Sequence, residues 1–342
     1  MRWDNLYIAG LGAYLPGTTS AADAAASGAF DRQEYQEYGI RAVTVAPDGM
    51  PAVDMAVAAA SRAVRRSGHK SADFGLVLHA SMYHQGQDMW TPAHYIQREV
   101  LGGTAMALDI FPGANGGLAG VELAASHLAA RKDSRAALVT CADAFRGPGF
   151  DRWRSDNNCV WGDGGAALVL SRSGGPLRLL STASAATPEL EPIFRGYDGW
   201  TDAPFSRPGP VDLRGRKLAW LAKETDPTAV FSGLVERLHT VVGQALRDAG
   251  ATLGQVTHLL HANFGTPFAE SQFHKPLGID AGRTLHDWGL DVGHVGGADQ
   301  LLGLHQLMES GRGRRGDLVL LVGAAMGFSW SAAVAEVTNW AP

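Results

Sequence analysis

The sequence predicts a two-lobed, layered α/β protein made of two duplicated halves. Internal repetition is the first observation behind that class. The stretch from Ala63 to Gly68, with His79 and Ala80 following ten residues later, recurs as Ala245 to Gly250 followed by His261 and Ala262, 182 positions on. A second match sets Gly113 to Gly117 on Gly293 to Gly297, and Leu138-Val139 on Leu318-Val319, at a shift of 180. The second observation is the alternation of helical and strand patterns within each half, and the third is that the strands are continuously apolar. Strands of that kind lie in sheets covered on both faces, so helices must flank them.

Taken in order, the elements support this architecture. Residues 53 to 67 place Val53, Ala56, Val57, Ala60 and Val64 at helical spacing and stop at Gly68, a common helix C-terminal residue. A buried strand follows at Leu76 to Leu78, an apolar helix at 117 to 130, and another buried strand at Ala136 to Thr140. The second half is expected to repeat this with helices near 230 to 249 and 297 to 309 and strands at 257 to 261 and 317 to 323. The halves are read as residues 1–175 and 176–342. Residues 187 to 228 interrupt the pattern with six prolines and with Phe194, Tyr197, Trp200, Phe205 and Trp220. A connection this long is usually functional or disordered, and its aromatics predict an ordered cap over a cleft.

Composition narrows the function classes. A chain of 342 residues that is 46% hydrophobic and 18% charged is globular and buries a sizeable core. A net charge of −5 gives no general attraction to nucleic acid or to an anionic membrane, and the basic cluster Arg312, Arg314 and Arg315 is short. No apolar run reaches the ~18 residues of a membrane span. The start of the chain lacks a signal-peptide pattern, and the two cysteines, Cys141 and Cys159, form no metal spacing, so a cytoplasmic location is expected. His79, His84 and His94 follow no compact ligand pattern, and no metal is expected. The Gly162 to Gly165 segment lacks the lysine of a phosphate-binding loop and leads into a strand; it reads as a structural turn.

Four stretches carry a resemblance to a known family: Ile8 to Pro16, Gly39-Ile40-Arg41, Trp161 to Leu170, and Gly327 to Trp330. Together they resemble the thiolase superfamily, and within it the ketoacyl-ACP synthase III type, over nearly the whole chain. The resemblance implies a five-layered αβαβα sandwich of two duplicated halves, usually a homodimer. It also implies a nucleophilic cysteine at the N-terminus of a buried helix, where backbone N–H groups and the helix dipole stabilise a thiolate. The matching stretch, Asp109 to Gly117, carries Ala114 at the cysteine's position. A methyl group cannot attack a thioester. Because the surrounding pattern is that of a reactive enzyme, Ala114 is read as an engineered Cys→Ala replacement suited to trapping a bound acyl donor, with natural loss of the cysteine as the alternative.

The base also departs from the condensing pattern. His261, followed by Ala262 and Asn263, retains the family's first histidine, whereas His294 stands where condensing members have an asparagine. Asp299 is close enough along the chain to orient the His294 ring, which suits it to take a proton from an attacking hydroxyl. This arrangement, with the stretch Tyr83 to Tyr95, resembles the branch that esterifies natural-product alcohols. Backbone N–H groups of Ala114 and Met326 are the oxyanion hole that the resemblance implies. Trp90, Trp200 and Asn263 are candidate substrate-binding residues. Asn115 reads as a helix-start residue. The family's arginine beyond Asn263 is missing, which leaves the hold on a pantetheine phosphate unassigned.

The expected function is therefore acyl transfer from a carrier-protein or CoA thioester to a hydroxyl or amine of a small-molecule acceptor, with no bound cofactor. The alternatives are a C–C bond-forming ketosynthase III, in which His261 and His294 act together, and a naturally inactive partner subunit of a ketosynthase heterodimer.

Overall fold

The first strand, β1 (Tyr7–Tyr14), is apolar and glycine-rich because it runs through the centre of the molecule with a helix pressed against it. That helix is α1 (Ala52–Ser67), capped by Gly68 at φ 67°, and its buried face is mostly alanine. Small residues on both sides let the backbones approach closely. A Cβ built at Gly12 would lie 2.0 Å from the Ala59 carbonyl oxygen. Gly12→Ala is therefore expected to destabilise the fold by roughly 1–3 kcal/mol through overpacking, read as a lowered denaturation midpoint. An unchanged midpoint would mean that α1 slides off β1 without cost.

The computed structural model describes residues 1–204, 206–224 and 226–340; Phe205, one of the aromatics expected in the cap, lies outside the described residues. Apart from the small pair Thr18–Ser20 and Ala42–Thr44, the further strands are β2 (Phe74–Ala80), β3 (Met106–Ile110), β4 (Ala136–Asp143), β5 (Gly164–Ser171), β6 (Leu177–Ala186), β7 (Val256–Leu260), β8 (Leu318–Ala325) and β9 (Ser329–Val337). They hydrogen-bond in the order β3-β2-β4-β5-β1-β6-β9-β8-β7. β2 runs parallel to β3 and β4, and β7 parallel to β8; the other pairs are antiparallel. Only Tyr7 and Ile8 of β1 pair with β6, so the strand system is two sheets joined by a narrow seam.

The main helices after α1 are α2 (Gly116–Ala130), α3 (Leu213–Leu221), α4 (Pro227–Ala249) and α5 (Asp299–Glu309). α1 packs on β1, β4 and β5, and α4 on β6 and β9. α2 and α5 contact strands of both sheets and each other. The layers are thus helix, sheet, helix pair, sheet, helix: the five-layered αβαβα sandwich. α2 carries apolar residues nearly all round because both of its sides are covered. Among the described residues, no helix is long and apolar enough to cross a membrane.

The repeat is visible in the elements, with one correction to its register. The short 3₁₀ turns Ser71–Asp73 and Leu253–Gln255, strands β2 and β7, and strands β4 and β8 all begin 182 positions apart. The turns Gly113–Asn115 and Gly296–Ala298 both open on a glycine with φ near +60° and lead into α2 and α5. The partner of Ala114 in the second half is therefore Gly297. The 180 shift, which set His294 opposite Ala114, aligned Gly113 with Gly293, a glycine that precedes the equivalent turn instead of opening it.

Candidate active site

Ala114 lies in the Gly113–Asn115 turn that starts α2, buried at the joint between the two halves. Gly116 and Gly297 sit back to back there; a Cβ on Gly297 would fall 2.9 Å from the Gly116 Cα. The side-chain amide of Asn115 donates to the Ser329 carbonyl at 3.0 Å and to its hydroxyl at 2.9 Å, tying the turn to β9. Asn115 is thus a tie between halves as well as a helix-start residue. Met326, in the β8–β9 connection, abuts the same turn, since a Cβ on Gly113 would lie 2.8 Å from Met326 Cγ.

Ala114, Met326 and His294 line one apolar cavity of about 230 Å³, together with Met82, Cys159, Trp161, Phe264 and Phe328. The cap closes this cavity. α3 contributes Leu213, Lys217 and Trp220, the short helix Pro192–Arg195 adds Ile193 and Phe194, and the first turns of α4 add Val230, Phe231 and Leu234. Within this apolar lining, Lys217 Nζ hydrogen-bonds the buried Asp156 carboxylate and lies 4.9 Å from the Phe194 ring centroid.

His294 is held from every side. Its backbone N–H donates to the Val160 carbonyl at 2.8 Å, and its carbonyl accepts from Gly162 N–H at 3.0 Å. The Trp161 and Phe264 rings pack at 4.5 Å and 5.2 Å. Nδ1 lies 2.5 Å from Asp299 Oδ2, which leaves Nε2 as the ring nitrogen available to a substrate. Asp299, the first residue of α5, also accepts the backbone N–H groups of Val295 at 2.7 Å and Asn263 at 2.8 Å. The carboxylate is fixed by three donors and by the helix N-terminus, and it fixes the imidazole in turn.

Four residues that the sequence put forward for the site are placed elsewhere. His261 does not line the cavity: its Nδ1 meets the Ala262 carbonyl at 2.7 Å and its Nε2 lies 2.8 Å from His274 Nε2, facing away behind Phe273. Trp90 packs on Tyr95 against the core around α1, and Trp200 is 89% exposed beneath the Arg195 guanidinium. Asn263 is buried but spends its side-chain amide on the Gly293 carbonyl at 2.9 Å, so it supports the His294 loop and does not face the cavity. Trp161, Trp220 and Trp330 line the cavity in place of the two expected tryptophans.

Other parts of the site had no signal in the sequence. Asp143, at the end of β4, accepts the backbone N–H groups of Met82 and Tyr83, and burial pushes its carboxyl well above the usual range. It thereby seats Met82 on the cavity wall. Cys159 is buried on the same wall, and burial, reinforced by the charge of Asp156, pushes its thiol well up. The Gly162 to Gly165 segment, read as a turn, is instead the entry into β5, which begins at Gly164, and it is structural: Asp163 is buried, pairs with Arg152 at 3.0 Å and accepts the Ala46 and Phe145 N–H groups. His79 is engaged by Thr140 and Gln85. The expectation of no metal rested on His79, His84 and His94; the histidines that converge are instead His261, His274 and His286.

Residues 246–337 match the family model of the 3-oxoacyl-[acyl-carrier-protein] synthase III C-terminal region. The solved structure of ChlB3, described as an acyltransferase, is 35% identical, with 98% of each chain covered and a TM-score of 0.92. The chain is a ketoacyl-ACP synthase III-like member of the thiolase superfamily, of its acyltransferase branch. Curated relatives of this ketosynthase III-like protein include the β-ketoacyl-[acyl-carrier-protein] synthase III of Clostridium beijerinckii, 24% identical over 97% of this chain and 99% of the relative. That of Roseiflexus castenholzii is 27% identical over 86% of each. The synthase III structure from Aquifex aeolicus, at 22% identity and a TM-score of 0.78 over 97% of this chain and 99% of that one, shares the fold.

Proposed function

We propose that this ketosynthase III-like protein, in a form carrying cysteine at position 114, moves an acyl group from a CoA or carrier-protein thioester to a hydroxyl, or less readily an amine, of a natural-product intermediate. The observation that carries this reading is the His294–Asp299 pair, held at 2.5 Å, on the wall of the apolar cavity that also contains Ala114. The cysteine thiolate would attack the thioester carbonyl, with backbone N–H groups of residues 114 and 326 receiving the developing oxyanion. Collapse expels the pantetheine thiolate and leaves an acyl-enzyme. His294 Nε2 then takes the proton of the acceptor hydroxyl as its oxygen attacks, and the cysteine thiolate departs as the ester forms.

Two features support oxygen acylation over C–C condensation. Asp299 orients His294 as a base, and His261, the second donor that decarboxylative condensation would require, faces away from the cavity. In this reading the first half supplies the nucleophile position and the second half the base, in a cytoplasmic homodimer. With Ala114 in place, the chain holds an acyl donor without taking its acyl group covalently.

The test is intact mass after incubation of this chain and its Ala114→Cys counterpart with a panel of acyl-CoA and acyl-carrier thioesters. An adduct on the cysteine form alone, discharged by an added alcohol, is the expected result. Carbon dioxide release from a malonyl thioester would establish condensation instead. No adduct on either form, with co-purification of a cysteine-bearing homologue, would establish the inactive-partner reading.

A further inference from the structure

We propose that His261, His274 and His286 form a binding site for a divalent late-transition cation of the zinc class, which pins the segment behind the acyl cavity. One ring nitrogen from each lies within 4.8 Å of the others, and all three residues are buried. They come from separate pieces of chain: the residue after β7, the π-helical turn Glu270–His274, and the start of the short helix His286–Gly289. A π-helical turn is rare and often marks a functional position.

The surroundings suit ligation. His261 Nδ1 sits 2.7 Å from the Ala262 carbonyl, the backbone hydrogen bond that commonly fixes a ligating imidazole and turns its Nε2 lone pair inward. That lone pair meets His274 Nε2 at 2.8 Å, so a single proton stands between two nitrogens that are both acceptors in their deprotonated state. A cation in place of that proton would satisfy both. With metal–nitrogen bonds of ~2.0–2.1 Å in a tetrahedral site, nitrogens stand roughly 3.3 Å apart, so the His261–His274 pair opens from 2.8 Å while the His286 nitrogen, within 4.8 Å of the others, closes in. Thr266 Oγ1, 3.0 Å from His286 Nε2, is placed to complete the set. Glu270, whose charge reaches His274 and His286, supplies a favourable field at the rim, although it also pairs with Lys275. Arg41 acts on His286 in the opposite sense and is itself paired with Asp287 and Asp291.

The cation would not reach the reacting groups. Phe273 stacks on His261 at 5.0 Å, Phe264 stacks on Phe273 at 6.2 Å, and Phe264 packs on His294 at 5.2 Å. The site lies behind this aromatic partition, on the same stretch of chain that supplies Asn263 to Asp299 and Phe264, Phe268 and Phe273 to the cavity wall. Its role is to fix that wall, independently of which nucleophile attacks the acyl group.

The test uses the full chain without a histidine tag, stripped with a chelator and titrated with Zn²⁺ and then Co²⁺. One Zn²⁺ should be retained per chain, the melting temperature should rise by about 3 °C or more at saturation, and Co²⁺ should give the intense visible absorption of a four-coordinate site. His274→Gln should weaken Zn²⁺ binding at least about 100-fold and abolish the rise, while His94→Gln leaves both unchanged. Should His274→Gln fail to fold, X-ray absorption of the Zn²⁺-loaded chain reports the ligands directly, and three imidazoles are expected. Zn²⁺ held equally by the chain and by His274→Gln, or a ligand shell without imidazole, would overturn the proposal.

Discussion

On an Ala114→Cys background, His294→Ala is expected to slow acyl transfer to an alcohol by about 10²–10⁴-fold, the usual contribution of a positioned general base. That range corresponds to roughly 3–5 kcal/mol of barrier. The loss should fall unequally on the two half-reactions. The thiolate at position 114 has a second source of stabilisation in the N-terminus of α2. The base has no such substitute among the described residues that line the cavity, because Asp156 and Lys217 are committed to each other and Cys159 is kept protonated by burial. Single-turnover mass measurements separate the steps: the adduct should still form in His294→Ala and should then persist in the presence of acceptor. Discharge of the adduct to alcohol within about tenfold of the parent rate would mean that another group takes the proton.

The site divides into a part legible in the sequence and a part that was not, along the line between local and non-local geometry. His294 and Asp299 are five residues apart across a turn and a helix start, so the backbone itself brings them together and the sequence spacing was enough. Ala114 was singled out through the resemblance, as the residue standing at the cysteine position that the family implies, and the structure puts it in a glycine-rich turn at the start of α2. The layered halves were legible because apolar helices, their terminal glycines and continuously buried strands are local patterns repeated at 182 positions. The register of the second match failed because glycine identity does not reveal which glycine adopts positive φ: Gly293, at φ 80°, precedes the turn that Gly296 opens. His261 failed for a non-local reason, since its side-chain direction is set by His274 and Phe273, which arrive from a π-helical turn downstream. Trp90 and Trp200 are aromatic residues in plausible segments, but one packs against the core around α1 and the other faces solvent. Lys217 and Asp156 meet only because α3 folds back over the cavity.

Asp299→Asn should be nearly as damaging as loss of the histidine, with a transfer rate lower by about 10³–10⁴-fold. The substitution keeps the size of the side chain but not its capacity. Asp299 now accepts from His294 Nδ1, Val295 N–H and Asn263 N–H through two oxygens. An amide offers one oxygen and an NH₂ group, so at least one of those three donors would face a donor. If the amide nitrogen takes the Oδ2 position, which now serves both His294 and Asn263, Nδ1 must become the acceptor, the proton moves to Nε2, where it blocks removal of the acceptor's proton, and the Asn263 N–H is left unpaired. If it takes the Oδ1 position, the buried Val295 N–H is left unpaired at a cost of about 1–3 kcal/mol, and the turn carrying His294 loosens. The two outcomes are distinguishable in the Ala114→Cys background. Either orientation lowers the melting temperature; with tautomer reversal the acyl adduct persists in the presence of acceptor, whereas with loosening it is discharged at a reduced rate. Asp299→Asn with parent transfer rates would show that the carboxylate serves only to start α5, and that His294 acts without an orienting partner.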